Sequence, residues 1–418
     1  MLRALALLLA LLYCFPWLRI PDVGGVALPF QRVLAWLALW AMLGYAATKR
    51  ALVAGPAARA YLRVTYLFVA FLGLHLVRQA LFGEPFYLLY FLMDFSKYLA
   101  IFTVGYLVYY ALRCGLLDEE RFVRAVQRSG AWATALVFLF LGLYVAGFRT
   151  ANDILAPSFG GALGVWPTGG RLPRLSGTAA EPQQLAVLLL TPVLLMLEPA
   201  SVRRYWPVAA LGTLALLLSQ SKYAVLSVLI ILGYVFLVYR RQRALILLAA
   251  MPLGPVAAIL LARLPVFSET LSQGLQAHAF VERFQNLVLL ADIIRDHFLF
   301  GIGAGHYGVY RGIVVFGDPM YLPGYSPNMD FLKVFAETGA LGFVLLLVLL
   351  GSLVRRSVRG YRAVPPAGRP RYLAFLFGML GILGSMAIGY ELLHVFFWIN
   401  VGALMHLAET AAADGARA

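Results

Sequence analysis

The sequence predicts an all-α polytopic membrane protein: one integral membrane domain over residues 1–418, with about twelve transmembrane helices and a large extracytoplasmic loop between spans nine and ten. Three observations predict it. The chain is 62% hydrophobic with a mean hydropathy of +0.83, whereas soluble domains are roughly 45–50% apolar. Apolar runs of about 15–20 residues recur along its length, and a bilayer leaves helices as the natural way to satisfy such backbones. Basic residues collect at every second connection, which is a topology signal.

The elements follow in order. The N-terminal Ala4–Leu18 run resembles a signal peptide, but Pro16-Trp17-Leu18-Arg19 stands where small cleavage-site residues belong, so it reads as a retained first span. Further spans are expected at Val26–Ala47, Val64–Val77, Phe86–Leu112, Ala131–Phe148, Gln184–Leu197, Tyr205–Leu218, Tyr223–Tyr239, Ala244–Ala262, Gly339–Val354, Tyr372–Ile388 and Leu392–Leu407. Asp94 and Lys97 lie three residues apart within one span and read as a self-neutralising pair. Arg32 and Arg78 sit near span ends, where they can snorkel.

The alternate loops carry Lys49, Arg50 and Arg59; Arg113, Arg121, Arg124 and Arg128; Arg203 and Arg204; Arg240, Arg241 and Arg243; and Arg355 to Arg371. All then face the cytoplasm, with both termini inside a cytoplasmic (inner) membrane. The formal charge of +15 is a property of these loops, and nucleic-acid binding is not expected. Cys14 and Cys114 form no zinc-type spacing.

Two opposite-face loops are long. One spans 149–183 and is rich in Gly and Pro; the other, 263–338, is long enough to hold helices of its own. Apolar residues at helical spacing over Phe280–Arg295 predict an amphipathic interfacial helix. These loops hold Arg174, Arg283 and Arg295, and Lys222 stands at another outer turn, against the positive-inside bias. An anionic ligand at the outer face accounts for such placement.

Five constellations stand out. Arg174-Leu175-Ser176-Gly177-Thr178 leads to Glu181 and Pro182, an Arg before a helix start, suited to a diphosphate. Ser219-Gln220-Ser221-Lys222 joins two spans. Glu282-Arg283 precedes Asn286, with Asp292 and Arg295 placed to pair. Gly301, Gly303 and Gly305 predict a tight backbone path ending at His306, a titratable candidate. Ser326-Pro327-Asn328-Met329-Asp330 opens a helix that runs through Glu337-Thr338-Gly339. No closely spaced carboxylates predict a metal, and no cofactor is expected.

At these residues the chain resembles the O-antigen ligase and O-antigen polymerase superfamily, integral membrane glycosyltransferases with a type C-like helical fold. Arg174, Gly177 and Pro182 fit an R-x-x-G segment before a helix start, with Gln183 in place of Asn. Ser219 to Lys222 fit a Ser-Arg-like turn, Lys replacing Arg. Arg283 precedes the Gly301, Gly303, Gly305 segment. Asn328, Leu332, Glu337, Gly339 and Gly342 fit the last signature, but Pro327 stands where ligases carry His.

The resemblance implies a glycan transferred from a polyprenyl diphosphate-linked oligosaccharide to a glycan acceptor, with an extracytoplasmic active site in the lipid bilayer. It implies Arg174, Arg283 and Lys222 at the diphosphate, Asp330, His306 or Glu181 as candidate catalytic groups, and Asn328 and Glu337 at the glycan or shaping a loop. Pro327 shifts the expectation from a lipid A-core ligase toward a surface polysaccharide polymerase, with a possible chain-length regulating partner. The alternative class is a lipid-linked oligosaccharide transporter, which predicts internal repeats and broken helices in two halves.

Overall fold

The computed structural model describes residues 2–14, 19–23, 26–49, 55–82, 85–147, 164–166, 173–179, 181–244, 278–318, 327, 329–386 and 395–415. Its architecture is all-α, with two short antiparallel hairpins. The order begins α1 (Leu2–Leu11), β1 (Arg19–Val23), β2 (Val26–Pro29), α2 (Phe30–Lys49), α3 (Pro56–Phe82), α4 (Pro85–Arg113) and α5 (Glu119–Val145). It continues with β3 (Gly164–Trp166), β4 (Arg174–Gly177), α6 (Pro182–Met196), α7 (Val202–Leu218) and α8 (Lys222–Val238). Then follow α9 (His278–Asp296), α10 (Tyr307–Arg311), α11 (Asp330–Ala363), α12 (Arg369–Met386) and α13 (Val395–Gly415).

Among the described residues, five helices are long and apolar enough to cross a membrane by themselves: Pro56–Arg78, Asp94–Arg113, Glu119–Val145, Asp330–Ala363 and Val395–Ala413. The other expected spans coincide with shorter helices, except the ninth, which lies almost wholly outside the described residues. Three boundaries differ from expectation. The first helix closes at Leu11 in a turn over Leu12–Cys14. Val26–Pro29 is a strand, since Pro29 is restrictive of helix just before it and α2 starts after it. The tenth span starts where expected, at Gly339, where the helical run from Asp330 breaks, but it continues past Val354 to Ala363.

The chain divides into two compact units. The first comprises Met1–Ala41, Ala111–Gly274 and Val364–Gly381; the second comprises Met42–Tyr110, Leu275–Ala363 and Ile382–Ala418. In the first unit α6 is buried along almost its whole length between α5, α7 and α8. Gln127 of α5 donates its side-chain amide to the Leu195 carbonyl at 2.8 Å and reaches Ser201 Oγ at 2.8 Å. On its expected cytoplasmic side, Arg371 pairs with Glu119, Glu120 and Glu198 at 2.7, 2.6 and 3.2 Å.

In the second unit α11 packs on α3 and α13. Trp398 is buried against Phe102, ring centroids 4.6 Å apart, and Tyr61 donates its hydroxyl to the Phe102 carbonyl at 2.6 Å. Glu409 of α13 accepts the Ala57 N–H at 2.8 Å and the Tyr109 hydroxyl at 2.7 Å, so its carboxylate caps the start of α3.

Candidate functional site

Each unit holds one cluster of predicted site residues. In the first unit, Arg174 is carried by β4, which pairs antiparallel with β3 so that Trp166 faces Arg174 in register. Its Nε donates to the Ser219 carbonyl at 3.4 Å. That bond joins two motifs that lie forty-five residues apart in sequence and fixes the plane of the guanidinium fork.

The turn it reaches is tightly built. Ser219 Oγ donates to the Leu216 carbonyl at 2.7 Å and lies 3.2 Å from Ser221 Oγ. Ser221 then caps α8 by accepting the Ala224 N–H at 3.1 Å. Between them Gln220 has φ +50°, a conformation that L-residues other than Asn, Asp and His adopt rarely. Such outliers persist where surrounding contacts over-determine them. Lys222 begins α8, with its ammonium 5.4 Å from the Tyr223 ring centroid.

Glu181 stands at the N-cap of α6 without a side-chain cap bond, and Pro182 follows at the first turn. Instead, its carboxylate accepts the Gln183 amide. Arg174 and Lys222 are thus partly exposed at a polar turn and a helix start, an arrangement chemically suited to an anion, and Glu181 is partly exposed at the start of α6.

The second unit places Asp330, Glu337 and His306 together with residues that sequence reasoning did not single out. α11 breaks at Gly339, where φ is +66° and ψ −174°. The glycine segment after α9 docks into the break. The Ile302 and Gly303 N–H groups donate to the Ala336 and Glu337 carbonyls at 3.0 and 2.8 Å, and the Ala340 N–H donates to the Phe298 carbonyl at 2.7 Å. A Cβ at Gly339 would lie 2.3 Å from the Leu299 carbonyl oxygen, and one at Gly301 would lie 2.4 Å from the Glu337 backbone. Only glycine permits this backbone-on-backbone seam.

Glu337 is 1% exposed and accepts the Tyr307 N–H at 3.1 Å, tying α10 to the break. Lys333, one turn earlier on α11, lies 3.9 Å from both Glu337 and Asp94. Asp94 also pairs with Lys97, as expected. Two carboxylates and two ammonium groups therefore neutralise one another in a buried setting, where an isolated charge would be costly.

His306 is buried, with Nδ1 3.0 Å from the Ala304 carbonyl. A carbonyl only accepts, so Nδ1 carries the proton and Nε2 holds the lone pair in the neutral ring. His75 of α3 is buried too, its Nε2 without a hydrogen-bond partner among the described residues, and it lies within coulombic reach of His306 and Arg78. Asp330 is buried at the start of α11, immediately after Pro327 and Met329.

Arg283 falls on α9, but its side chain and all of Asn328 lie outside the described residues. Asn286 on the same helix is buried and accepts the Tyr307 hydroxyl at 3.1 Å. Arg295 pairs with Asp292 at 3.3 Å and with Asp296 at 2.9 Å, so local partners account for it. Sequence reasoning passed over His75 and Lys333. The signals were present: an ionisable residue within an apolar span, and a Lys four residues before Glu337 on one helix face.

These elements define an all-α polytopic membrane protein. Residues 207–347 match the family model for O-antigen ligase, and this supports placing the chain in the O-antigen ligase and polymerase superfamily of membrane glycosyltransferases. The matched stretch includes Lys222, Arg283, His306, Asp330 and Glu337, whereas Arg174 and Glu181 precede it. No curated protein matches the chain significantly.

Proposed function

We propose that the protein transfers a glycan from a polyprenyl diphosphate-linked donor to a sugar hydroxyl at the outer face of the cytoplasmic membrane, acting as a surface polysaccharide polymerase. The observation that carries this reading is the 3.4 Å bond from Arg174 to the Ser219–Lys222 turn, which gathers two cations at a turn and a helix start.

In this reading the acceptor oxygen bonds to the donor's anomeric carbon as the bond from that carbon to the diphosphate oxygen breaks. The electron pair stays on the diphosphate, whose charge falls on Arg174 and Lys222 in a metal-independent scheme. The hydroxyl proton passes to a base. Asp330, His306 and Glu181 are the candidate groups for it; the Ala304 carbonyl sets the His306 tautomer, and Glu181 accepts the Gln183 amide. Glu337, at 1% exposure, is assigned a loop-shaping role. Asn328 is assigned to the glycan.

Pro327 cannot relay a proton, which favours the polymerase. The ligase reading keeps one observation, the O-antigen ligase description of the matching family. Purified protein in nanodiscs with a polyprenyl diphosphate-linked repeat unit separates the two. Release of polyprenyl diphosphate with lengthening glycan is expected. Transfer solely to lipid A-core would make it a ligase, and translocation without bond cleavage would overturn the enzyme reading.

A further inference from the structure

The segment that docks into the break of α11 exposes a run of large apolar side chains. Phe298, Leu299 and Phe300 are 53%, 55% and 51% exposed, although no helix of theirs requires it. Their depth is fixed by backbone bonds. The Phe298 and Leu299 carbonyls accept the Ala340 and Leu341 N–H groups at 2.7 and 3.4 Å, and the Phe298 ring lies 5.8 Å from that of Phe335.

From Leu341 the helix continues to Arg355, the first of the basic residues expected on the cytoplasmic side. That stretch rises about 21 Å at about 1.5 Å per residue. The hydrocarbon core is about 30 Å thick. The seam therefore lies about 10 Å beneath the outer edge of that core for an upright helix, and deeper for a tilted one.

The exposed run also adjoins an exposed apolar face of α11. Leu341, Val344, Leu347 and Val348 are exposed on α11 just below the seam, within a helix apolar enough to span. Backbone that is not helical is tolerated at such depth when its polar groups are satisfied by protein, and the seam bonds do this.

We infer that residues 298–306 form a re-entrant element, with Phe298, Leu299 and Phe300 in contact with the acyl chains of outer-leaflet lipid. Farther along, the exposed Ile313–Phe316 turn carries Arg311 over the Phe316 ring at 5.2 Å, a cation placed to snorkel toward the headgroups. The inference corrects the topology in which the whole 263–338 segment lies outside the membrane, and it is independent of the reaction proposed above.

The test uses the full chain with Cys14 and Cys114 replaced by Ser, reconstituted in phosphatidylglycerol–phosphatidylethanolamine nanodiscs. Nitroxide labels are placed at Leu299→Cys, at Val344→Cys as a lipid-facing reference and at Arg295→Cys as a water-facing reference. Accessibility to oxygen and to a water-soluble nickel chelate is then measured. Leu299 is expected to match Val344, with oxygen favoured over the chelate at least several-fold. Chelate accessibility like that of Arg295, or shielding from both reagents, would overturn the inference. Phe300→Cys gives the same readout if Leu299→Cys does not yield monodisperse protein.

Discussion

Around Arg174 the cations are partly exposed, and the Arg174 guanidinium is held by the Ser219 carbonyl. Around Asp94 every charge has an opposite charge nearby and the carboxylates are almost fully buried. The first arrangement leaves its cations partly exposed to a ligand, while the second buries its charges in holding helices together. The difference teaches that charge within a membrane protein has two uses, and that exposure and neutralisation separate them better than residue type. The Asp94 cluster should therefore behave as stability, and the Arg174 cluster as chemistry.

The comparison can be strained first at the seam of the second unit. Gly339→Val is expected to cost above about 4 kcal/mol and to abolish monodisperse protein, because a Cβ would lie 2.3 Å from the Leu299 oxygen at a positive φ. Size-exclusion chromatography reads the outcome, and normal folding would mean that the seam can open freely.

Asp94→Ala leaves Lys97 and Lys333 without their shared carboxylate, at an expected cost of about 3–5 kcal/mol in thermal unfolding. Adding Lys97→Met is expected to return much of the loss. A double variant as unstable as the sum of the two singles would count against the neutral-cluster account.

In the first unit, Ser221→Ala removes the cap of α8 and is expected to cost about 1 kcal/mol. Its effect on turnover should exceed its effect on stability if the turn positions Lys222. Parallel melting curves and product assays compare the two.

The smallest effect is a pH slope. Burial raises the Glu198 carboxyl above its usual range, although Arg371 opposes it. The folded protein then holds this proton more tightly than the unfolded chain. The contribution is fully present below the ordinary carboxylate value and is lost as pH rises through the raised one. Glu198→Gln should flatten that part of the stability curve, measured by melting from pH 4 to 8.

Much of this was legible in the sequence. Apolar run length and loop charge placed the helices, because a bilayer imposes both, and the Asp94–Lys97 and Asp292–Arg295 pairs followed from helical spacing. The Arg174 hairpin was not legible, since a three-residue strand leaves too little periodicity to read. Nor was the break at Gly339. Its cause is a chain segment some forty residues away, and a single Gly in a helical pattern does not announce its docking partner. The Lys333–Glu337 spacing was legible, but the second partner of Lys333, Asp94, was not, since it comes from a distant helix.

The central claim is that Arg174, fixed by the Ser219 carbonyl, holds the diphosphate leaving group. It is tested most directly by the rate of polyprenyl diphosphate release from a defined lipid-linked glycan by Arg174→Ala in nanodiscs, with melting recorded on the same sample. The account predicts a fall of about 100-fold or more with an unchanged melting temperature, and partial recovery in Arg174→Lys. Turnover close to that of the unaltered protein, in folded Arg174→Ala, would contradict it.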